Sequence, residues 1–428
     1  MSRLASRYLS RPGNQLPPDE PVVITGIGLI ASVGDHREAV WRAVCRGTSG
    51  VRRLTGIPGI PDGLLLGAPV DIADTPTGRL KVISLALHAA REAVADAGID
   101  LPALDPDRAA CAVSGHMGDT SSIATGHDTT PAQGVNWWEQ WFPNSACWHV
   151  AQEFGFCGPR ICHSTACASG LIDFISAVRV IREGRCDVAL AGSAEAIHPL
   201  FAAGFRQMRV LADHADPTQA CRPFDRQRSG FVMGEGAAIF VVERLSHALR
   251  RGARIYAEVL GTKMAAEAHH VTDLDADADS LSYLLTNTMR ASGLAPGDLS
   301  YINAHGTGTL QNDVVECRAI RRTMGSAADA TCISSTKAIL GHLVNAAGSV
   351  ELAITALALR DGFAPPTMNL TDPDPECDLD CIPLVGRPRH FEHALKVSIA
   401  FGGHLAAVVL HRWPEAANGF GYQRRAAA

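Results

Sequence analysis

The sequence predicts an α/β fold with its sheets covered on both faces, and three features predict it. Strand-like runs such as PVVIT at 21–25 and DVALAGS at 187–193 are apolar almost without interruption. Strands with a solvent face alternate instead, so these belong inside. Between them lie stretches of helical spacing, and strand and helix alternate along the chain. The order strand, glycine turn, helix opens at residue 22 and again at 299, as a duplicated half-domain would give.

The first strand, 21–25, runs into Gly26 and Gly28, and GIGLIA at 26–31 also fits a dinucleotide fingerprint. That fingerprint needs an acidic ribose partner about 20 residues further on. Residues 43–50 offer none, so the glycines are read as a tight turn. Helical spacing marks 39–45 and 80–97, the second capped by Gly98. A strand at 109–114 leads into a Gly-, Thr- and Trp-rich loop over 115–144. The strand 161–164 feeds a helix that is apolar nearly all round, LIDFISAVRVI, which implies a central position. Strands follow at 187–193, 237–243 and 255–262, then a helix at 280–292. Strand 299–303, helix 312–323, strand 331–334 and helix 346–360 come next, and 396–401 and 405–410 are late strands. The chain divides into an N-terminal half at 21–262 and a C-terminal half at 263–412, with tails at 1–20 and 413–428.

With 428 residues, 46% hydrophobic and 19% charged, the chain has the composition of a globular enzyme with a large core. A net charge of -6 gives no global ground for binding nucleic acid. No apolar run approaches the roughly 20 residues of a membrane span. Residues 1–20 hold Arg3, Arg7 and Arg11 without the apolar stretch of a secretory signal, and read as a disordered tail. Twelve scattered cysteines in so apolar a chain read as reduced thiols, which implies a cytoplasmic protein. His269 and His270 are adjacent and poorly placed to share one ion, and Cys377 with Cys381 makes half a site, so no metal centre is expected.

TACASG at 165–170 places Cys167 where a strand ends and a helix begins. Unpaired N–H groups and the positive end of the helix dipole favour a thiolate there and lower its pKa. The small neighbours leave the sulfur open. A buried free cysteine is also ordinary core, and the local pattern fits either reading. Two further strand ends bear on it: NAHGTGT at 303–309, with His305, and SSTKAILGH at 334–342, with Lys337 and His342. Ligand sites in open α/β sheets gather at strand carboxyl ends, which suits a constellation of Cys, His, Lys and His better than packing does.

These segments occur in order with RPFDRQRSGFVMGEGA (222–237), NDVVE (312–316), NAAGSVE (345–351), PPTMNL (365–370) and AFGGH (400–404). From about residue 21 to 410 the chain resembles an elongating β-ketoacyl-acyl carrier protein synthase, of the ketosynthase branch of the thiolase superfamily. The resemblance implies a thiolase-like five-layered αβαβα fold of two duplicated halves, and a homodimer or a ketosynthase heterodimer. It implies acyl- and malonyl-carrier proteins as partners and no cofactor of the enzyme's own, since phosphopantetheine arrives on the carrier. Cys167 would take the acyl group. His305 and His342 would donate to the enolate formed when malonyl-carrier protein loses its carboxylate, and the backbone amides of Cys167 and Phe401 would hold the tetrahedral oxyanion. Lys337 would orient the histidines through Glu351, with Asp313 and Glu316 buttressing that lysine. Thr307 and Thr309 would bond the pantetheine arm. Thiolases use a second cysteine near the C-terminus, and AFGGHLA at 400–406 has none. The alternative is a non-catalytic or chain-length-shaping partner subunit, a subfamily that usually lacks the nucleophile present here.

Some positions depart from the family pattern. Its gate usually reads FGFGG, then Thr or His, then Asn; here Ile399 replaces the first aromatic and Leu405 the asparagine. His116 and Phe201 fall where relatives line the acyl pocket with apolar or smaller residues, and WWEQW at 137–141 adds bulk near the pocket. These changes suggest a specialised synthase with a short, unsaturated or oxygenated acyl chain. Arg79, Lys81, Arg206 and Arg209 fall in segments that line the pantetheine entrance of relatives, and are expected to form a basic rim for an acidic carrier protein.

Overall fold

The computed structural model describes residues 20–57, 59–72, 79–115 and 138–414. The strands of the central sheet are β1 Val22–Ala31, β2 Ala109–Ser114, β3 Arg160–Ile161, β4 Val188–Glu195, β5 Gly236–Arg244, β6 Ala257–Ala266, β7 Tyr301–Asn303, β8 Cys332–Ser334, β9 His393–Ala400 and β10 His404–Arg412. Across the sheet they lie in the order β3-β2-β4-β5-β1-β6-β10-β9-β7-β8. In the first half β2 is parallel to β3 and β4, whereas β4–β5 and β5–β1 are antiparallel. In the second half β7 is parallel to β8 and β9, whereas β9–β10 and β10–β6 are antiparallel. The second five strands thus repeat the first five in both order and sense. The halves join edge to edge where Val22, Val23 and Ile24 face Val259, Glu258 and Ala257.

The duplication was legible in the sequence, but its restart was misplaced. The second unit opens with β6; β7, the strand at the expected restart near 299, is the counterpart of β2. The 262/263 boundary therefore falls inside β6.

The helices are α1 Arg37–Arg46, α2 Lys81–Ala97, α3 Ser145–Phe154, α4 Ser169–Arg182, α5 Pro199–Gln207, α6 Asp279–Ala291, α7 Leu310–Met324 and α8 Ala347–Asp361, besides shorter turns. Three apolar cores separate the layers. One lies between the first half-sheet and α2 with α3, and one between the second half-sheet and α6 with α7. The largest lies between the halves around α4 and α8, whose residues are buried on nearly every side. This is the thiolase-like arrangement, and it sets the first turns of α4 and α8 side by side at the molecular centre.

Gly26 and Gly28 make no turn. They lie within β1, which continues to Ala31 past an irregular register at Ile24/Gly26. A Cβ on Gly26 would sit 2.3 Å from Ala93 O, and one on Gly28 1.8 Å from Ala89 O. Both glycines let the alanine face of α2 approach the strand backbone to backbone.

Candidate active site

Cys167 sits on the short 3-10 turn Ala166–Ala168, between β3 and the first turn of α4. The expected strand at 161–164 shrinks to Arg160–Ile161, so a bent segment brings the chain into this turn. Ala166 holds φ 46°, a left-handed conformation that a residue with a Cβ rarely adopts and that surrounding structure must enforce. Ser169 Oγ accepts from Thr165 N at 2.9 Å and donates to Ala166 O at 2.8 Å, closing the turn. The small neighbours serve packing rather than access. A Cβ on Gly170 would lie 2.1 Å from Ser193 Oγ, and Ser193 Oγ is itself 2.6 Å from Ser349 Oγ of α8. The Cys167 side chain is 7% exposed.

That burial reverses the expected pKa. Desolvation pushes the Cys167 thiol up to about 12, against the lowering effect of Lys337, and Glu195 and Glu351 push the same way as burial. The helix N-terminus does not offset the loss of water, so the resting group is a thiol.

Both predicted histidines meet it. His342 Nε2 lies 3.0 Å from Cys167 Sγ. The His305 and His342 rings stand edge to face at 5.4 Å, and Sγ with one nitrogen of each ring falls within 4.8 Å. Strand-like backbone clamps His342: its N–H donates to Val232 O at 2.6 Å, and Gly234 N donates to its carbonyl at 2.9 Å. Phe231 packs edge-on against its ring at 4.9 Å. Burial and the positive charges of Lys337 and Lys396 hold both imidazoles well below the ordinary histidine range, so both are neutral near pH 7. Such rings donate and accept hydrogen bonds without carrying charge.

Lys337 is fully buried beneath them, paired with Glu351 Oε1 at 2.5 Å. Its Nζ also donates directly to His305 O, so it holds that histidine without an intermediary. Asp313 and Glu316 do not buttress the lysine as expected. Their i, i+3 spacing on α7 turns both toward the 305–308 loop, where backbone N–H groups take their oxygens. Glu316 accepts from His305 N at 2.6 Å and Gly306 N at 2.7 Å. Asp313 accepts from Phe224 N at 2.7 Å and Gly308 N at 3.2 Å. Burial pushes Glu316 up to about 7 and raises Asp313. Arg228, missed from the sequence, fastens the start of α7 through Thr309 O at 3.1 Å and Leu310 O at 3.0 Å, and pairs with Asp374 at 2.6 Å. Lys396 was missed as well; it is fully buried, 2.6 Å from Glu351 Oε2.

Thr307 and Thr309 hydroxyls lie 2.8 Å apart at the start of α7. Phe401 begins a turn in which Gly402 and Gly403 take φ 82° and 75°, and a Cβ on Gly403 would lie 1.9 Å from Glu267 O. A chain of rings runs inward from the half-buried Phe201: Phe201 to Phe205 at 6.1 Å, Phe205 to Phe401 at 6.5 Å and to Phe231 at 5.3 Å. Phe201 is thus two rings removed from His342. His116 and Trp137 lie outside the described residues, as do the side chains of Trp138 and Trp141. Among the basic residues, Arg206 and Arg209 are exposed and Arg79 is half-buried. Lys81 pairs with buried Glu235, which also accepts from Val70 N and Ile197 N, so its charge is committed to the fold.

Comparison with known proteins now decides the family. Residues 81–248 match the beta-ketoacyl synthase N-terminal domain and residues 256–371 the beta-ketoacyl synthase C-terminal domain. The chain belongs to the beta-ketoacyl synthase family. It is 37% identical over 415 residues to the tetracenomycin polyketide synthase ketoacyl synthase alpha subunit of Streptomyces glaucescens, covering 92% of this chain and 97% of that one. It is 36% identical over 406 residues to 3-oxoacyl-[acyl-carrier-protein] synthase 2 of Coxiella burnetii, covering 91% and 98%. Among solved structures, a type II polyketide ketosynthase bound to its acyl-carrier protein superposes with a TM-score of 0.84 at 31% identity, covering 92% and 100%. This beta-ketoacyl synthase is accordingly a condensing enzyme, an acyltransferase of fatty-acid or type II polyketide synthesis. Among the described residues no helix is long and apolar enough to cross a membrane.

In this beta-ketoacyl synthase the two gate departures answer each other. Ile399 and Leu405 are directly opposed across β9 and β10, and both are buried in the same apolar core. Where the resembled pattern has an aromatic and an asparagine, this chain sets an opposed aliphatic pair on the two strands joined by the turn that begins at Phe401.

Proposed function

We propose that this enzyme joins an acyl chain on Cys167 to a malonyl unit by decarboxylative Claisen condensation. Cys167 Sγ attacks the carbonyl of an acyl-carrier thioester. The new S–C bond replaces the pantetheine S–C bond, and the pantetheine sulfur leaves with the proton of the thiol, relayed by the neutral imidazole of His342. Malonyl-carrier protein then occupies the same entrance. Its carboxylate leaves as carbon dioxide, and the electron pair of the broken C–C bond becomes an enolate whose oxygen accepts from His305 and His342. The enolate carbon attacks the Cys167 thioester, a C–C bond forms, and the thiolate leaves to recover a proton. Backbone amides of Cys167 and Phe401 face the tetrahedral oxyanion. The observation that carries this reading is the buried trio itself, with a thiol 3.0 Å from one neutral imidazole and a second ring beside it.

The donor is a carrier protein, which the exposed Arg206 and Arg209, with Arg79, would meet at a basic rim; Thr307 and Thr309 bond the pantetheine arm. The enzyme works as a dimer with a second copy or a related partner subunit; a related solved assembly is a ketosynthase paired with a chain length factor. The ring-lined approach through Phe201 and Phe205 favours a short, unsaturated or oxygenated acyl chain. Reconstitution with malonyl-carrier protein and a panel of acyl-carrier proteins tests this. The expected products are a 3-oxoacyl-carrier protein and one carbon dioxide per turnover, with saturated chains of about 14 carbons, long enough to probe the pocket's full depth, as poor donors. Absence of product across the panel contradicts the reaction, and efficient use of the long saturated chain contradicts the substrate class.

A further inference from the structure

Lys396 has no part in the motifs that mark this site, yet it is wholly buried on β9, five residues before Phe401. A central strand position of this kind ordinarily takes an apolar side chain. Its Nζ lies 2.6 Å from Glu351 Oε2 and donates to Ala304 O at 3.0 Å and Asn303 O at 3.4 Å. Lys337 holds Glu351 Oε1 and His305 O from the other side. Two ammoniums therefore share one carboxylate, and between them they grip the carbonyls of Asn303, Ala304 and His305. Lys396 thus adds a second ammonium to a carboxylate that Lys337 already pairs, in a region poor in water.

We propose that Lys396 is a positioning residue for the decarboxylation half-reaction. It fixes the strand end that presents His305 and sets a second positive charge beneath the place where the enolate forms. This rests on the condensation proposed above and adds a residue to it. In acyl transfer the negative charge develops on a tetrahedral oxyanion assigned to the backbone amides of Cys167 and Phe401, whereas in decarboxylation it develops on an enolate oxygen assigned to the histidines above this lysine pair. The second charge thus favours one half-reaction over the other.

The titratable groups that interact with Lys396 are Glu351 on α8, Lys337, Glu316 on α7, His305 and His342. Burial lowers Lys396 to about 8, with Glu351 opposing the shift and Lys337 adding to it. It raises Glu316 to about 7, and both histidines are already neutral. Decarboxylation should therefore fall as pH rises through about 8 and the ammonium is lost. The contribution of Lys396 to stability moves the other way. A lysine with a lowered pKa in the folded chain binds fewer protons than the unfolded chain above about 8, so its contribution to stability rises with pH.

The test uses the full-length enzyme from about pH 6.5 to 9.5, a range that brackets this titration. Acyl loading of Cys167 is read by intact mass, and carbon dioxide release from malonyl-carrier protein separately. Wild-type decarboxylation is expected to fall above about pH 8. In Lys396→Met, decarboxylation should drop about 10- to 100-fold, as when a group that positions a catalytic residue is removed. The drop should appear in kcat rather than KM, the alkaline limb should vanish, and loading should stay within about twofold of wild type. If Lys396→Met does not fold, the wild-type profile decides. Wild-type decarboxylation flat across this range, or equal loss of both half-reactions in a folded Lys396→Met, overturns the inference while loading continues. Absence of both half-reactions in the wild type overturns the condensation reading and this inference with it.

Discussion

At the scale of single residues, His305 and His342 are not equivalent. His342 Nε2 lies 3.0 Å from the nucleophilic sulfur, whereas His305 is held by its backbone between Glu316 and Lys337 and meets His342 edge to face. His305→Ala should therefore slow decarboxylation far more than acyl loading, by about 10²–10³-fold for loss of one preorganised donor. His342→Ala should slow both steps, because it also removes the neighbour that relays the thiol proton. Single-turnover loading followed by carbon dioxide release separates the two, and equal losses in His305→Ala would argue against its assignment to the enolate. That Cys167, His305, His342, Lys337 and Glu351 come together in the fold was legible because their motifs are dense and ordered. The protonation state of Cys167 was not. A sequence shows the helix start that lowers a thiol pKa, and hides the burial that raises it to about 12. Lys396 was illegible for a related reason: no motif marks the lysine in HALKVSIA, and only the tertiary fold buries it beside Glu351.

At the scale of elements, the same local patterns had two readings, and long-range packing chose between them. Gly26 and Gly28 looked like turn residues, yet α2 lies so close to β1 that a side chain at Gly28 would enter the carbonyl of Ala89. Gly28→Ala should destabilise the enzyme by about 3 kcal/mol, the upper end for an overpacked core, since helix backbone cannot give way as a side chain can. Denaturant melts would show it; a loss under about 0.5 kcal/mol, the size of a surface substitution, would mean that the helix simply shifts. The hairpin β9–β10 makes a second case. Leu405→Asn places an amide opposite Ile399 in a dry core, costing about 2–4 kcal/mol. Pairing it with Ile399→Ser should recover part of that loss, an interaction energy readable from a double-mutant cycle. Strict additivity would show that the opposed pair is incidental.

At the scale of the whole molecule, the formal charge of -6 hides the local arrangement that matters for partners. Arg206 and Arg209 are exposed at and just beyond the end of α5, the helix whose Phe201 and Phe205 lead toward Phe401. Arg209→Glu should weaken acyl transfer from a carrier protein, with a steeper effect at low salt, and spare transfer from a free pantetheine thioester. Equal loss with both donors would remove Arg209 from the docking rim. Lys81 belongs to no such prediction, because Glu235 takes its charge. The alternation of strands and helices was legible from apolar runs and helical spacing, and the duplication from the repeated order of strand, glycine turn and helix. Where the second half begins was not, since β6 pairs with β1 across the seam and looks in sequence like a continuation of the first half.

The central claim is that Cys167, a protonated thiol at rest, is the group that carries the acyl chain. The most direct measurement is intact-protein mass spectrometry of wild type and Cys167→Ala after incubation with acyl-carrier protein, with the adduct located by peptide mapping. Losing one buried sulfur costs only about 1 kcal/mol, so the variant should remain folded. The expected result is one acyl group on the wild type, mapped to Cys167, and none on Cys167→Ala. An equal adduct on Cys167→Ala, or one mapped to Cys162 or another thiol, would contradict it.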